Sequence, residues 1–187
     1  KTRKWKWKMN KLLLNHTQID IILWRLVHQL IENHSESEKT AIIGLQPRGI
    51  SFAKEIYKRI LSIKPKTTLK FGILDHTFYR DDIHMHDSPL VPEETDIDFS
   101  TDGKNIVLID DVLYTGRSIR SALDAINNLG RPASCELMVM VDRKYSRELP
   151  ISPDYFGIAI DTRALNEKVS VKWDSNKFEV WLKTNKR

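Results

Sequence analysis

Two adjacent aspartates followed by a glycine-containing turn form the most informative segment of this sequence. Asp110 and Asp111 follow an apolar run, and Thr-Gly-Arg-Ser at 115–118 then leads into a helical pattern. Ionised carboxylates only accept hydrogen bonds, so the pair matches the two vicinal hydroxyl donors of a ribose. The backbone N–H groups of the following turn suit a phosphate on the same sugar. These residues predict a site for a ribose 5-phosphate.

Two other loops follow predicted strands and are rich in charged residues. Gln-Pro-Arg-Gly at 46–49 follows the apolar run 41–45, and Tyr-Arg-Asp-Asp at 79–82 follows the run 68–75. In an open parallel sheet, ligands bind beyond the carboxyl ends of the strands. The 46–49 loop also places an arginine and a glycine at the start of a helix, which favours phosphate.

Two common nucleotide-binding motifs do not fit. Gly44 and Gly49 have the spacing of the two glycines of a P-loop, but Ile50 stands where that motif requires lysine. No GxGxxG occurs in the chain, so a dinucleotide-binding or methyltransferase site loses its main support.

The order of apolar patterns predicts an α/β fold. Apolar runs alternate with amphipathic ones, which indicates a mostly parallel twisted sheet with helices on both faces. The predicted helices are 17–33, 49–61 and 117–130, and the predicted strands are 41–45, 68–75, 105–110 and 135–142. Between them, 84–103 reads as a long loop of the kind that forms lids or binding loops. The pieces 155–160, 168–173 and 178–182 predict edge strands or a small subdomain.

The net charge of +5 is concentrated at one end of the 187-residue chain. The other 179 residues carry 25 basic and 25 acidic side chains, so we expect one domain, 9–187, with a neutral body. Residues 1–8 are expected to be a leader that is foreign to the natural chain or poorly ordered. The alternative is a basic arm whose tryptophans stack on a nucleic-acid strand. The cations are Lys1, Arg3, Lys4, Lys6 and Lys8, and the tryptophans Trp5 and Trp7.

Cysteine count and hydropathy exclude several classes of protein. Cys135 is the only cysteine, so neither an internal disulfide nor a cysteine-based zinc site can form, and we expect it to be a small core residue. No apolar run reaches the roughly 18 residues of a membrane span, which favours a cytoplasmic protein without membrane contact. His84 and His86 lack a third ligand, so a metal role for them is disfavoured.

The segment IVLIDDVLYTGRS at 106–118 resembles the phosphoribosyl-diphosphate motif of type I phosphoribosyltransferases. Other segments are similar to the PyrR family, which consists of uracil phosphoribosyltransferases that also regulate pyrimidine operons by binding RNA. These segments are IIGLQPRGISFAKEI, TFYRDD, GRPAS, and VDR followed by RELPISPDY. The resemblance covers about 10–172. It implies the type I fold with a small hood and a flexible lid, and formation of UMP and diphosphate from uracil and 5-phosphoribosyl diphosphate. It also implies Mg²⁺, held mainly by substrate oxygens, and a homodimer or higher homo-oligomer.

The resemblance assigns roles by position. Asp110, Asp111 and Arg80 are expected to act in catalysis, the two aspartates on the ribose hydroxyls and indirectly on the metal. The diphosphate falls to Pro47, Arg48, Gly49 and Arg80, and the 5-phosphate to Thr115, Gly116, Arg117 and Ser118. The uracil pocket is expected around Val141, Asp142 and Arg143, with the strand at 158–162.

The sequence departs from the family pattern in three places. Lys144-Tyr145-Ser146 replaces a short Gly-His after VDR, and Asp-Thr-Arg at 161–163 replaces a Pro-Thr-Ser-like string. Trp24 stands where better-known members have a small polar residue implicated in RNA contact. Arg25 and His28 are the positions left for RNA, although they equally fit a solvated helix face. We expect an enzyme without tight RNA binding; the alternative is a UMP-responsive RNA-binding regulator with little turnover.

Overall fold

The computed structural model describes residues 8–81, 94–161, 167–174 and 177–184, with side chains from residue 11. Its three helices are α1 (His16–Asn33), α2 (Gly49–Ile63) and α3 (Arg117–Leu129). Its strands are β1 (Lys8–Leu14), β2 (Thr40–Leu45), β3 (Lys70–Leu74), β4 (Asn105–Leu113), β5 (Ser134–Arg143), β6 (Tyr155–Ile160), β7 (Glu167–Asp174) and β8 (Lys177–Thr184). Residues outside the described ranges include 1–7 of the predicted leader 1–8, His84, His86 and 162–163.

Five strands form a parallel sheet in the order β3-β2-β4-β5-β6. From β2 the chain first moves to β3 at one edge and then returns past β2 to β4. The strand order therefore reverses between β2 and β4, and the loops that follow these two strands diverge there. This switch point is where open α/β sheets bind ligands.

The central sheet is buried on both faces, as the near-continuous apolar strands predict. Alternate side chains of one strand point to opposite faces, so Ile42 packs with α1 and α2 while Ile43 packs with α3. The predicted α/β class, parallel sheet and helices on both faces are confirmed.

The predicted small subdomain is a three-stranded antiparallel sheet in the order β1-β8-β7, which we call the hood. Its inner face joins the core of the domain, where Trp173 stacks on Phe52 of α2 with ring centroids 5.3 Å apart. The β1 strand was not foreseen. Lys8, assigned to the leader, is its first residue and pairs with Thr184, so the leader is not separate from the fold at that residue.

Several boundaries differ from the prediction. β4 does not end at residue 110: it continues to Leu113, because Val112 and Leu113 still pair with β5. Within the predicted loop 84–103, Asp96 exchanges backbone hydrogen bonds of 2.8 and 2.9 Å with Ile73 at the edge of the sheet.

The prediction that Cys135 is a core residue is wrong, because this side chain is exposed. None of the helices in the described ranges combines the length and hydropathy needed to cross a membrane.

Close contact between α2 and β4 brings two of the charged loops together. A Cβ atom at Gly49 would lie 2.3 Å from the carbonyl oxygen of Ile109 and 3.0 Å from the Cα of Asp110. Only glycine lets the first turn of α2 approach β4 this closely. The contact thus fixes the 46–49 loop beside the aspartate pair.

We expect Gly49→Ala to lower the free energy of unfolding by about 1–3 kcal/mol, because the new methyl group overlaps backbone atoms that cannot move away easily. Urea unfolding measures the loss. Lys54→Ala, at an exposed position of the same helix, is the control and should change stability little. Unchanged stability of Gly49→Ala would mean that α2 can withdraw from β4 without cost.

Candidate functional site

A cleft of about 1100 Å³ lies beyond the carboxyl ends of β2 and β4, at the switch point of the sheet. It gathers residues from all three charged loops and from the hood. Those predicted as site residues are Pro47, Arg48, Arg80, Asp110, Asp111, Thr115, Gly116, Arg117, Ser118 and Arg143. The cleft is therefore the candidate active site.

Asp110 and Asp111 lie near the carboxyl end of β4 and are largely enclosed, with Asp111 6% exposed. The Asp111 backbone N–H donates to Asp110 Oδ1 over 2.8 Å. Burial, and then the Asp111 charge, raise the pKa of Asp110 to about 8. Burial also raises the pKa of Asp111, against the opposing effect of the Arg48 guanidinium. The pair is thus poised to gain hydrogen-bond donors or positive charge from a ligand.

The turn at 115–118, which we call the phosphate turn, presents backbone donors to the cleft. Gly116 has φ +92°, a left-handed conformation that favours glycine, and it precedes α3 directly. No side chain caps the first turn of α3, although the Arg117 N–H lies 3.4 Å from Thr115 Oγ1. N–H groups at the start of a helix have no intrahelical acceptors, so they can bind an anion here.

Arg117, a predicted phosphate ligand, is held by two carboxylates. Its guanidinium contacts Asp81 at 2.7 Å and Glu148 at 2.5 Å. All three side chains are well exposed, and exposed ion pairs contribute only about 0–1 kcal/mol each. A phosphate could therefore replace either carboxylate at little cost. The sequence analysis did not assign Glu148 a role, because it reaches Arg117 from a loop 31 residues further along the chain.

Arg147 ties the loop after β4 to the end of β5. It donates to the carbonyl oxygens of Leu113, Tyr114 and Ile151 over 3.1, 2.6 and 2.8 Å. The same guanidinium pairs with the buried carboxylate of Asp142. Arg147 was not among the predicted residues, yet it holds the backbone that leads from the aspartate pair to the phosphate turn.

The three predicted base contacts have different positions. The Val141 side chain lies in the hydrophobic core, and Asp142 is engaged by Arg147; neither lines the cleft. Arg143 does line it, 4% exposed, with its guanidinium 4.2 Å from the ring centroid of Tyr114. Only Arg143 of this group is therefore placed to meet a base through its side chain.

Gly49, predicted as a diphosphate ligand, contacts β4 and does not line the cleft. The cleft is also lined by polar residues to which the sequence analysis assigned no role; Gln46 and Asp81 belong to the charged loops, and the others are His76, Tyr114, Glu148, Glu167 and Lys168. Tyr114 could have been found, since it stands within the motif between the aspartates and the turn. Lys168 could not, because only the packing of the hood brings it to the cleft.

The two predicted RNA positions lie on α1, away from the cleft. Arg25 donates to the carbonyl oxygens of Phe156 and Gly157 over 2.8 and 2.9 Å, which covers acceptors of the edge strand β6. His28 is exposed one turn further and lies beside Trp24, with ring centroids 6.4 Å apart. Arg25 thus has a structural role that the sequence did not indicate.

A family model described as the phosphoribosyl transferase domain matches residues 9–176. The chain belongs to the phosphoribosyltransferase family. It is 42% identical to the Bifunctional protein PyrR of Acetivibrio thermocellus, over 86% of this chain and 85% of the relative. It is 43% identical to the Bifunctional protein PyrR of Actinobacillus pleuropneumoniae, over 88% and 90%. These relatives confirm the predicted PyrR membership, and the chain is a phosphoribosyltransferase.

Solved structures support the fold. A hypoxanthine phosphoribosyltransferase from Staphylococcus aureus superposes with a TM-score of 0.65 at 20% identity, over 83% of this chain and 81% of that chain. A hypoxanthine-guanine phosphoribosyltransferase from Bacillus anthracis superposes with a TM-score of 0.65 at 16% identity, over 82% and 85%. The predicted type I phosphoribosyltransferase fold is confirmed.

The raised pKa of Asp110 predicts an unusual pH dependence of stability. A carboxyl whose pKa rises from 3.8 to about 8 on folding lowers stability as pH increases through that range, and the full cost is present above it. We therefore expect Asp110→Asn to melt at a higher temperature than the parent chain, by a margin that grows from about pH 5 to about pH 9.

Thermal unfolding followed by circular dichroism measures this margin. Asp98→Asn, at an exposed position, is the matched control and should show no such growth. Equal melting temperatures of Asp110→Asn and the parent chain throughout this range would contradict the buried-pair interpretation.

Proposed function

We propose that this protein is a uracil phosphoribosyltransferase that forms UMP and diphosphate from uracil and 5-phosphoribosyl diphosphate. The observation that supports it best is the presence of three subsites in one cleft. The aspartate pair, the phosphate turn and residues of the 46–49 loop all line this cleft, and Gly49 of that loop lies against β4 at Asp110. A ribose that carries a 5-phosphate and a 1-diphosphate needs these three sets of contacts.

The aspartate pair would bind the ribose. Its two hydroxyl donors match the acceptors of Asp110 and Asp111, and the 5-phosphate then falls at the N–H groups of 115–118. Charged hydrogen bonds contribute roughly 1.5–3 kcal/mol each, more than the 0.3–1 kcal/mol typical of a helix dipole. The specific donors and acceptors therefore decide affinity, and the dipole adds to them.

The diphosphate would lie against Pro47 and Arg48, with Arg80 opposite. The described residues contain no group of three or more His, Cys, Asp or Glu side chains that could hold a metal alone. Two adjacent carboxylates do suit Mg²⁺, which is typically bound by one or two carboxylates together with substrate phosphates. When bound, the ion would neutralise charge on the leaving diphosphate, while Asp110 and Asp111 would hold it only indirectly.

The uracil would lie between the ribose subsite and Arg143. The guanidinium is fixed over the Tyr114 ring and offers donors to a carbonyl oxygen of the base. Burial lowers the pKa of Arg143, because the enclosed charge loses hydration. A hydrogen bond donated by Arg143 to a carbonyl oxygen of the bound base would offset part of that loss.

Transfer in this cleft needs no nucleophile from the protein. The bond from the ribose to diphosphate breaks as the bond to N1 of uracil forms, and positive charge develops on the ribose. The N1 proton of uracil leaves to the departing diphosphate or to water. Asp110 and Asp111 would hold the ribose and stabilise that charge, while Arg48 and Arg80 stabilise the leaving diphosphate. The cleft also aligns base and ribose, which supplies much of the remaining rate enhancement. The predicted homo-oligomer and cytoplasmic location stay predictions.

We expect uracil to be the preferred base when uracil, hypoxanthine, guanine and orotate are compared in a coupled assay of diphosphate release. Comparable turnover of a purine would overturn the uracil assignment.

Asp110→Asn and Asp111→Asn should each lower kcat/KM at least about 10-fold, equivalent to roughly 1.4 kcal/mol, because ribose loses a charged acceptor. The same coupled assay measures this loss. Full activity of both variants would overturn the role of the aspartate pair.

The relatives named bifunctional raise the question of a second function, RNA binding. In this chain Arg25 of α1 and Arg59 of the neighbouring α2 already have partners. Arg25 is bonded to β6, and Arg59 pairs with Asp20 and Glu55 while its guanidinium lies 5.3 Å from the Trp24 ring. Phosphate contacts supply most nucleic-acid affinity, so this surface supports only weak RNA binding.

We expect no tight sequence-specific binding of a pyrimidine-operon leader RNA by residues 9–187 at near-physiological salt. A fluorescence titration with and without UMP measures it, with His28→Ala as the test variant and Lys66→Ala, an exposed cation elsewhere, as the control. Submicromolar binding that UMP strengthens and that His28→Ala alone weakens would restore the regulator function.

A further inference from the structure

A second cavity, of about 360 Å³, opens beside the main cleft between the start of α2 and strand β7 of the hood. Both cavities are lined by Pro47, Arg48, Asp111, Lys168 and Val169, so they share one wall. A ligand bound against the 46–49 loop can therefore extend into the second cavity. We call this second cavity the hood cavity.

Positive side chains dominate the hood cavity. Lys168 of β7 and Lys183 of β8 are direct partners in the antiparallel register, so both side chains lie side by side. Arg48 faces them from the start of α2. Burial lowers the pKa of Lys168, and the charges of Arg48 and Lys183 lower it further, whereas Asp111 opposes them. Asp111 is the one carboxylate among the described lining residues.

The remaining polar groups of the hood cavity can donate hydrogen bonds. Ser51 and Ser170 supply hydroxyl groups. Trp173 also lines the cavity, and its indole N–H is buried without a hydrogen-bond acceptor among the described residues. In addition, the first turn of α2 has no side-chain cap, so its N–H groups add positive character.

Three cations gathered around one space repel one another, and an anion with several charges removes that cost. The wall that the hood cavity shares with the main cleft indicates which anion would bind there. Arg48 borders both cavities, and in the proposed reaction the group beside Arg48 is the diphosphate. A diphosphate has a second phosphate beyond the one attached to ribose, and that outer phosphate would point away from the sugar toward the hood.

We propose that Lys168 and Lys183 bind the outer phosphate of the diphosphate, so that the hood forms one wall of the diphosphate subsite. The inference rests on the proposed function, because it places 5-phosphoribosyl diphosphate in the main cleft. It adds two ligands from the β7–β8 hairpin, which begins about 50 residues after the phosphate turn. Packing of the hood against α2 then contributes directly to substrate binding.

Isothermal titration calorimetry with Mg²⁺-diphosphate and, separately, ribose 5-phosphate tests the proposal without relying on turnover. The variants are Lys168→Met, Lys183→Met and the double variant. Lys172→Met is the control, because Lys172 lies on the same strand but lines neither cavity. We expect each single variant to weaken diphosphate binding about 10-fold and the double variant about 100-fold, equivalent to roughly 1.4 and 2.8 kcal/mol.

Ribose 5-phosphate affinity and the melting temperature should change little, and Lys168→Arg should keep diphosphate affinity because it keeps the charge. Equal diphosphate affinity in the parent chain and the double variant would overturn this inference and leave the proposed function intact. Loss of both ligands in the lysine variants would also overturn it, since it indicates a general structural role. Failure of the parent chain to bind either ligand would overturn the proposed function together with the inference.

Discussion

Burial of two neighbouring carboxylates at the end of the central strand is the constraint on which this site depends. β4 continues past Asp110 and Asp111 to Leu113 and pairs with β5 on both sides of Asp111, so local loop motion cannot carry either side chain into solvent. Burial, and then the charge of Asp111, disfavour the ionised form of Asp110, which accounts for its raised pKa. The fold can retain the two carboxylates because the large stabilisation comes from the two hydrophobic layers on either side of the sheet. The unfavourable pair is local, and it is located where ligand hydroxyls and cations can compensate it.

Two arginines near the pair are held in different ways, although both side chains are exposed. Arg48 adjoins Gly49, which lets α2 touch β4, whereas Arg117 is shared between Asp81 and Glu148. The close packing of α2 on β4 fixes the Arg48 backbone beside the aspartates. A cation in exposed pairs can exchange partners when a phosphate arrives. The phosphate turn itself is kept in place by Arg147, whose hydrogen bonds go to backbone carbonyls and so do not depend on the ligand.

The hood contributes both to the hydrophobic core and to the walls of the two cavities. Its inner face completes the core through Trp173 and Phe52, and its β7 edge places Lys168 at both cavities. One antiparallel hairpin therefore contributes both to the core and to the lining of the cavities, and Trp173 belongs to both. On α1, in contrast, Arg25 is bonded to the carbonyl oxygens of Phe156 and Gly157 and thus stabilises the fold.

The sequence by itself determined the α/β class and the order of the main helices and strands along the chain, and it predicted a ribose 5-phosphate site at Asp110 and Asp111. These properties depend on local periodicity and on one contiguous motif, and the motif also carried the family resemblance. Only the tertiary structure decided that the Val141 and Asp142 side chains do not line the cleft and that Arg147 bonds the backbone at 113–114. It also decided that β1 pairs with β8 in the hood. Each of these results depends on contacts between segments that are distant in the chain or on the face of the sheet to which a side chain points. Local patterns cannot fix such contacts, because the partner that stabilises them is chosen by packing of the whole domain.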